Sequence, residues 1–226
     1  MNTGPATHAA HTPPAPQFAT RAQQEFAGSF GMWVFIASEL LFFGPLLFGY
    51  LYLRLHFPQG CAAASRHTDF WLGTANTAVL LTSSLLMALA GQAAQAGLRR
   101  RAAGLLAASA ALGLAFLAIK GWEYHAEFNE HLFPGVGFRP EAGGVAQQWP
   151  GMQLFFILYF AMTGVHALHL SAGILACLWL ALGLRRAAPA GLPDSAVELA
   201  GLYWHFVDLV WIFLYPLLYL VGRAGG

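Results

Sequence analysis

Charge is what this sequence has least of. Only 9% of its 226 residues are Asp, Glu, Lys or Arg, against about 25% in an average soluble domain. The net charge is +1, so there is no basic surplus to attract nucleic acid. Cysteine is also scarce. Cys61 reads as a loop residue and Cys177 lies in an apolar run, which excludes a disulfide framework and any Cys-based metal motif. No internal repeat and no Gly-rich nucleotide loop is visible. What fills the space is apolar: 58% of residues are hydrophobic and mean hydropathy is +0.56. These values describe an all-α integral membrane protein.

A helix needs about 20 mostly apolar residues to cross a bilayer. Five runs qualify: 30–54, 71–91, 102–124, 151–182 and 198–222. Residues 1–29, rich in Ala, Pro, Thr and Gln, read as a flexible polar tail ahead of a five-helix domain, 30–226. The first run is too long for a cleaved signal peptide and reads as a signal anchor. Between the runs lie polar connections. The longest, 125–149, carries His125, Glu127, Glu130, His131 and the turn formers Pro134, Gly135, Gly137, Gly143 and Gly144. Solvated charge is its plain reading; a partner contact or a weak outer metal site are the sharper ones. The connection 185–195 holds Pro189, Gly191 and Pro193.

An odd number of crossings puts the termini on opposite sides. Arg21, Arg99, Arg100, Arg101, Arg185 and Arg186 fall on one side, and Arg54, Arg66, Lys120, Arg139 and Arg223 on the other. The first set is concentrated in short connections and Arg54 and Lys120 belong to helix ends, so the positive-inside rule assigns the N-terminus to the cytoplasm.

Ionisable groups in hydrocarbon are costly and usually face other protein. The intramembrane polar residues are Glu39, Asn76, Glu123 near the end of the third run, His166, His169, His205 and Asp208. At about 1.5 Å per residue, Glu39, His169 and Asp208 fall at a similar depth. Glu39, among Phe35, Phe42 and Phe43, is expected to be a neutral carboxyl. Two readings stand for it: a hydrogen bond to a neighbouring helix, or proton handling. His205 and Asp208, at i and i+3, are expected to pair and lock the last helix. Trp204, Asp208, Trp211 and Tyr215 share one stripe of that helix, and Met162, His166, His169 and Gly173 share another. His166 and His169 are weak as a metal pair, and interhelical hydrogen bonding is their plain reading. No metal ligands are assigned, and no catalytic residue. Pro45 is expected to kink the first helix.

Five segments carry a family resemblance. WVFIASELLFF (33–43), TANTAVLLTSS (74–84), GWEYHAEF (121–128), TGVHALHLSAG (163–173) and YWHFVDLVWIFLY (203–215) occur in order. Together they resemble subunit III of the haem–copper oxidases, in the short five-helix bacterial type rather than the seven-helix type. The resemblance implies a non-catalytic subunit of a cytochrome c oxidase in aerobic respiratory electron transport. It implies association with subunits I and II, which hold the haem and copper. It implies no cofactor in this chain beyond bound phospholipid. It also implies a multi-pass place in the bacterial inner membrane, with the C-terminus periplasmic. Glu39 matches the family's buried carboxylate linked to proton uptake. Subunit III of a quinol oxidase and the accessory subunit of nitric oxide reductase share these motifs. A reading of another class is a stand-alone metalloprotein built on His166, His169 and His205. A proton-coupled transporter has neither a repeat nor a broken helix pair to support it.

Overall fold

The computed structural model describes residues 16–135, 138, 149–186, 195–220 and 222–223. Six α-helices follow one another there: α1 (Arg21–His56), α2 (Pro58–His67), α3 (Phe70–Gln95), α4 (Arg99–Asn129), α5 (Trp149–Arg185) and α6 (Ala196–Tyr215). A π-helical turn, Pro216–Leu220, continues α6. All but the ten-residue α2 are long and apolar enough to cross a membrane, α6 together with its π turn. The chain is a multi-pass membrane protein with an all-α, five-crossing bundle.

Boundaries follow local chemistry. The Gln23 N–H donates to the Thr20 hydroxyl and caps α1. That helix therefore begins nine residues before residue 30, inside the stretch expected to be a polar tail. The Trp71 and Leu72 N–H groups donate to the Asp69 carboxylate at 2.8 and 3.1 Å, which starts α3. Gly97, at φ 73°, ends α3 in a left-handed turn, with the Leu98 N–H reaching back to the Ala93 carbonyl. Pro45 lies inside an unbroken α1. Pro216 acts differently: it has no N–H to give, and the helix widens into its π turn there. Cys61 is buried in α2 rather than placed in a loop, and both cysteines are free.

Four helices form the body. α3 packs on α4, α4 on α5, α5 on α6 and α6 back on α3, while α1 leans on α5 and α6 from outside. In a bilayer, helices associate through close packing of small residues and interhelical hydrogen bonds. Both occur here. Ala102, Ala103, Ser109, Ala110 and Gly113 give α4 a shallow face. The Ser109 hydroxyl donates to the Ser83 carbonyl at 2.6 Å, and the Trp204 indole N–H to the Ser83 hydroxyl at 3.1 Å. The Trp211 N–H reaches the Thr77 hydroxyl at 3.1 Å. The Tyr50 hydroxyl donates to the Leu217 carbonyl and ties α1 to the π turn. Much of α1 instead exposes large apolar side chains, among them Trp33, Leu41, Phe48 and Leu55.

Candidate functional site

Two polar centres lie within the helices. The first joins α1 to α5. Glu39 Oε2 is 2.8 Å from His169 Nε2, and the two side chains are 17% and 19% exposed. Phe42 and Phe43 flank the imidazole, their ring centres 6.3 and 5.4 Å away. The Tyr203 hydroxyl of α6 donates to the His169 carbonyl at 2.8 Å. His169 Nδ1 lies 2.8 Å from the Val165 carbonyl, which only accepts. Nδ1 must therefore carry a proton. The bond to Glu39 then needs one further proton, held either as a carboxylic O–H donating to Nε2 or as an imidazolium N–H donating to a carboxylate. With no proton there, two lone pairs face each other, so the bond requires at least one proton between the carboxyl and the imidazole.

The second centre lies deep in α4. Lys120 Nζ donates to Glu123 Oε2 at 3.0 Å, to the Tyr159 hydroxyl at 2.6 Å and to the Tyr219 hydroxyl at 2.5 Å. The Tyr219 hydroxyl in turn donates to the Glu123 carboxylate at 2.8 and 3.0 Å. Lys120 and Glu123 side chains are each 3% exposed. Aromatic faces of Tyr124, Tyr159, Trp211 and Tyr219 surround the ammonium. This centre was hard to read from sequence. Lys120 and Glu123 looked like helix-end residues, and His125 and Glu127 looked like the edge of a loop. All four are helical, and Glu127 is also buried. Lys120 therefore drops out of the count of flanking positive charge. The signal available was the Lys120, Glu123, Glu127 spacing on one helical face.

His205 and Asp208 do not pair. His205 is exposed, and its Nδ1 lies 2.8 Å from the Ser84 hydroxyl of α3. Asp208 turns inward, 4% exposed, and neither carboxyl oxygen makes a hydrogen bond. Ser84 lies within electrostatic reach of that carboxyl without hydrogen-bond geometry. The i, i+3 spacing fails because successive residues are turned by about 100°, leaving these two about 60° apart, and the inward stripe takes only Asp208. Asn76 and His166 are fully buried, and their side-chain polar atoms also make no hydrogen bond. The His166 ring packs between Phe116 and Trp211, at 5.5 and 5.1 Å. Asp208 makes no hydrogen bond to the Glu39–His169 pair. Among the described residues, no three His, Cys, Asp or Glu side chains gather as a metal set. Gly137, Gly143, Gly144, Arg139, Pro189, Gly191 and Pro193 lie outside the described residues.

Known proteins match this arrangement in sequence. A family model described as cytochrome c oxidase subunit III matches residues 152–223, which span α5, α6 and the π turn. Cytochrome c oxidase subunit 3 of Thermostichus vulcanus is 31% identical over 85% of this chain and 87% of its own length. The chain belongs to the cytochrome c oxidase subunit III family. Its role class is that of a subunit III of a haem–copper oxidase. The cytochrome bo(3) ubiquinol oxidase subunit 3 of Pseudomonas putida is 29% identical over 85% of this chain and 84% of its own. The haem-copper oxidase subunit I+III of Aeropyrum pernix is 33% identical over 84% of this chain, which spans only 22% of that longer protein. Within subunit III so identified, and among the described residues, the Glu39–His169 bond and the Lys120–Glu123 cluster are the places where a glutamate meets a histidine or lysine inside the bundle.

Proposed function

We propose that this subunit III belongs to a bacterial terminal oxidase of the cytochrome c type, packs against subunit I and supports proton uptake while stabilising the catalytic core. The observation that carries the reading is the Glu39–His169 bond. It holds an exchangeable proton between α1 and α5, in a seam that is partly open rather than sealed. A group that accepts and returns a proton needs that access; a purely structural bond does not. The exposed apolar side chains of α1 lie on the same helix and are available for a partner in the membrane. Fusion of I and III in the name of the Aeropyrum pernix relative supports subunit I as that partner. Haem and copper then reside in subunits I and II, with phospholipid filling the remaining apolar surface. The charge distribution supports an N-terminus in the cytoplasm and a C-terminus in the periplasm of the inner membrane. Relatives named for cytochrome c and for ubiquinol match at comparable identity, so the electron donor is read from the partner subunits.

The test uses the intact complex. Glu39→Gln and His169→Gln are made separately, and turnover-dependent inactivation and proton uptake are followed across pH. Both variants are expected to inactivate sooner, with the haem spectrum and copper content of the complex unchanged. Unchanged kinetics at every pH would reject the proton role. Haem with non-haem iron and no copper in the copurified partner would transfer the chain to a nitric oxide reductase.

A further inference from the structure

The Lys120 cluster leaves one buried acid over. Lys120 gives its N–H groups to Glu123, Tyr159 and Tyr219. An ammonium has three donors, so none remains. The Glu123 carboxylate accepts from Lys120 and from the Tyr219 hydroxyl, as an ionised acid does. One cation and one anion are thereby matched. Glu127 lies one helical turn further along the same face of α4. It is 4% exposed, and neither of its carboxyl oxygens makes a hydrogen bond.

The groups that act on Glu127 come from several elements. Within α4, the Lys120 ammonium attracts a negative charge there, while Glu123 and Glu130 repel it. From α5, the Tyr159 hydroxyl is the donor that faces it, outside strict hydrogen-bond geometry. Tyr124 and Tyr219 lie within electrostatic reach, but the first is bonded to Thr163 and the second donates to Glu123. Glu127 also lines a cleft of about 480 Å³ at the end of the bundle where α4 finishes and α3 begins. Across that cleft stand Arg66 and His67 of α2, and Asp69, whose carboxylate is taken up by the Trp71 and Leu72 N–H groups. Arg223 directs its N–H groups at the carbonyls of Ser65, Arg66, Thr68 and Tyr219, not at an acid. Trp71 and Trp122 line the cleft and are exposed, as aromatic residues are at a membrane–water interface.

A buried carboxylate without a bonded partner is costly. The position makes it more so, because α4 ends two residues later and a helix C-terminus disfavours an anion. A proton on Glu127 removes that charge. When the proton leaves, the field of Lys120 and the Tyr159 hydroxyl are at hand for the anion. Both states therefore have an answer in the structure, and the cleft gives the proton a way out.

We propose that Glu127 is a proton-exchange site of this subunit, separate from the Glu39–His169 bond. The carboxyl O–H bond breaks, the proton passes to water in the cleft, and the return is the reverse. Glu39 and His169 lie near the middle of α1 and α5, whereas Glu127 lies two residues from the end of α4. The proposal requires only that this end of the bundle meets water, and it stands whichever way the chain is oriented and whichever oxidase it serves.

The test is infrared difference spectroscopy of the intact complex across a pH step, in ordinary and heavy water, reading the C=O stretch of protonated carboxylic acids. Wild type is expected to lose one such band at a pH above that of a solvated glutamate, about 4.3, and to shift it in heavy water. Glu127→Gln should lack the band. Glu39→Gln should keep it, which separates this site from the proton role of Glu39. Glu130→Gln, at an exposed position, should keep it too. If Glu127→Gln does not fold, glutamate isotopically labelled at its side-chain carboxyl is introduced into Glu39→Gln, and the band must then move to lower frequency. A band that persists in Glu127→Gln, disappears with Glu39→Gln, ignores the label, or resists both alkali and heavy water would overturn the proposal.

Discussion

Lys120 and Glu123 form a 3.0 Å ion pair one helical turn apart, with both side chains 3% exposed. Asn129 ends α4 nine residues beyond Lys120, which puts the Lys120 Cα about 14 Å below that end. A charge at that depth persists only where its partners are complete. Here they are: one carboxylate, two tyrosine hydroxyls and four aromatic faces close around one ammonium. Two of the tyrosines come from α5 and the π turn, so the cluster also fixes where three segments meet. Its effect on the fold is best measured by removing its members singly and together.

Removing only one charge should cost more than removing both. Lys120→Met leaves Glu123 buried and unpaired, a loss of about 3–5 kcal/mol. Lys120→Met with Glu123→Gln removes the charge conflict and should recover most of that loss. Thermal unfolding in detergent, followed by helix signal, measures all three proteins. A double variant as unstable as the single one would mean that packing, not charge, holds the centre.

Close packing gives a second prediction. A Cβ built on Gly113 meets Ile174 and Trp204 at 3.0 Å, while one on Gly104 meets nothing within 4 Å. Gly113→Ala should therefore destabilise by about 1–3 kcal/mol through overpacking. Gly104→Ala, on the same helix, should be neutral or slightly stabilising, since alanine is the better helix former. The same unfolding measurement compares the two. Equal effects would show that the α4–α5–α6 contact is more compliant than the distances imply.

Cys61 lies in α2, outside the crossing helices, and burial pushes its thiol up to about 11 from an ordinary 9.0. The folded protein thus keeps its proton through a pH range where the unfolded chain releases it. Between about pH 9 and 11 the folded state binds more protons, so stability falls as pH rises through that window and is unaffected below it. Labelling by a thiol reagent should be slow at pH 8, when almost no thiolate is present, and rise steeply above pH 9. Rapid labelling at pH 8 in folded protein would contradict the buried placement.

Much of this could be read from residues alone, because a bilayer permits few solutions. Each crossing must satisfy its own backbone, so apolar runs of about 20 residues mark where the five crossing helices lie, although α1 begins nine residues before its run and α4 ends five residues beyond its own. Depth is also countable, and it brought Glu39 and His169 to one level before any neighbour was known. Rotation about the helix axis is harder. His205 and Asp208 sit within reach by spacing, but packing of Trp204 and Trp211 against α3 and α4 turns one outward and the other inward. Lys120 was obscured because its partners, Tyr159 and Tyr219, lie 39 and 99 residues away. The tail read as polar and flexible through residue 29, yet Thr20 supplies a cap and α1 begins at Arg21.

His205 and Asp208 of α6 can be separated energetically. If His205 stabilises the bundle, it does so through Ser84 and not through Asp208. In a double-mutant cycle, His205→Ala and Ser84→Ala should show coupling of about 0.6 kcal/mol, the mean for a hydrogen bond between membrane helices. His205→Ala with Asp208→Asn should show none within error, since the two side chains make no bond. Asp208→Asn alone should be mild, because an amide keeps the shape of the carboxyl in its buried position. Asp208→Lys should be severe, because it drives a long, unpaired cation among Trp204, Val207 and Trp211. Unfolding free energies of the six variants decide it, and strong coupling between His205 and Asp208 would return the pair that the spacing suggested.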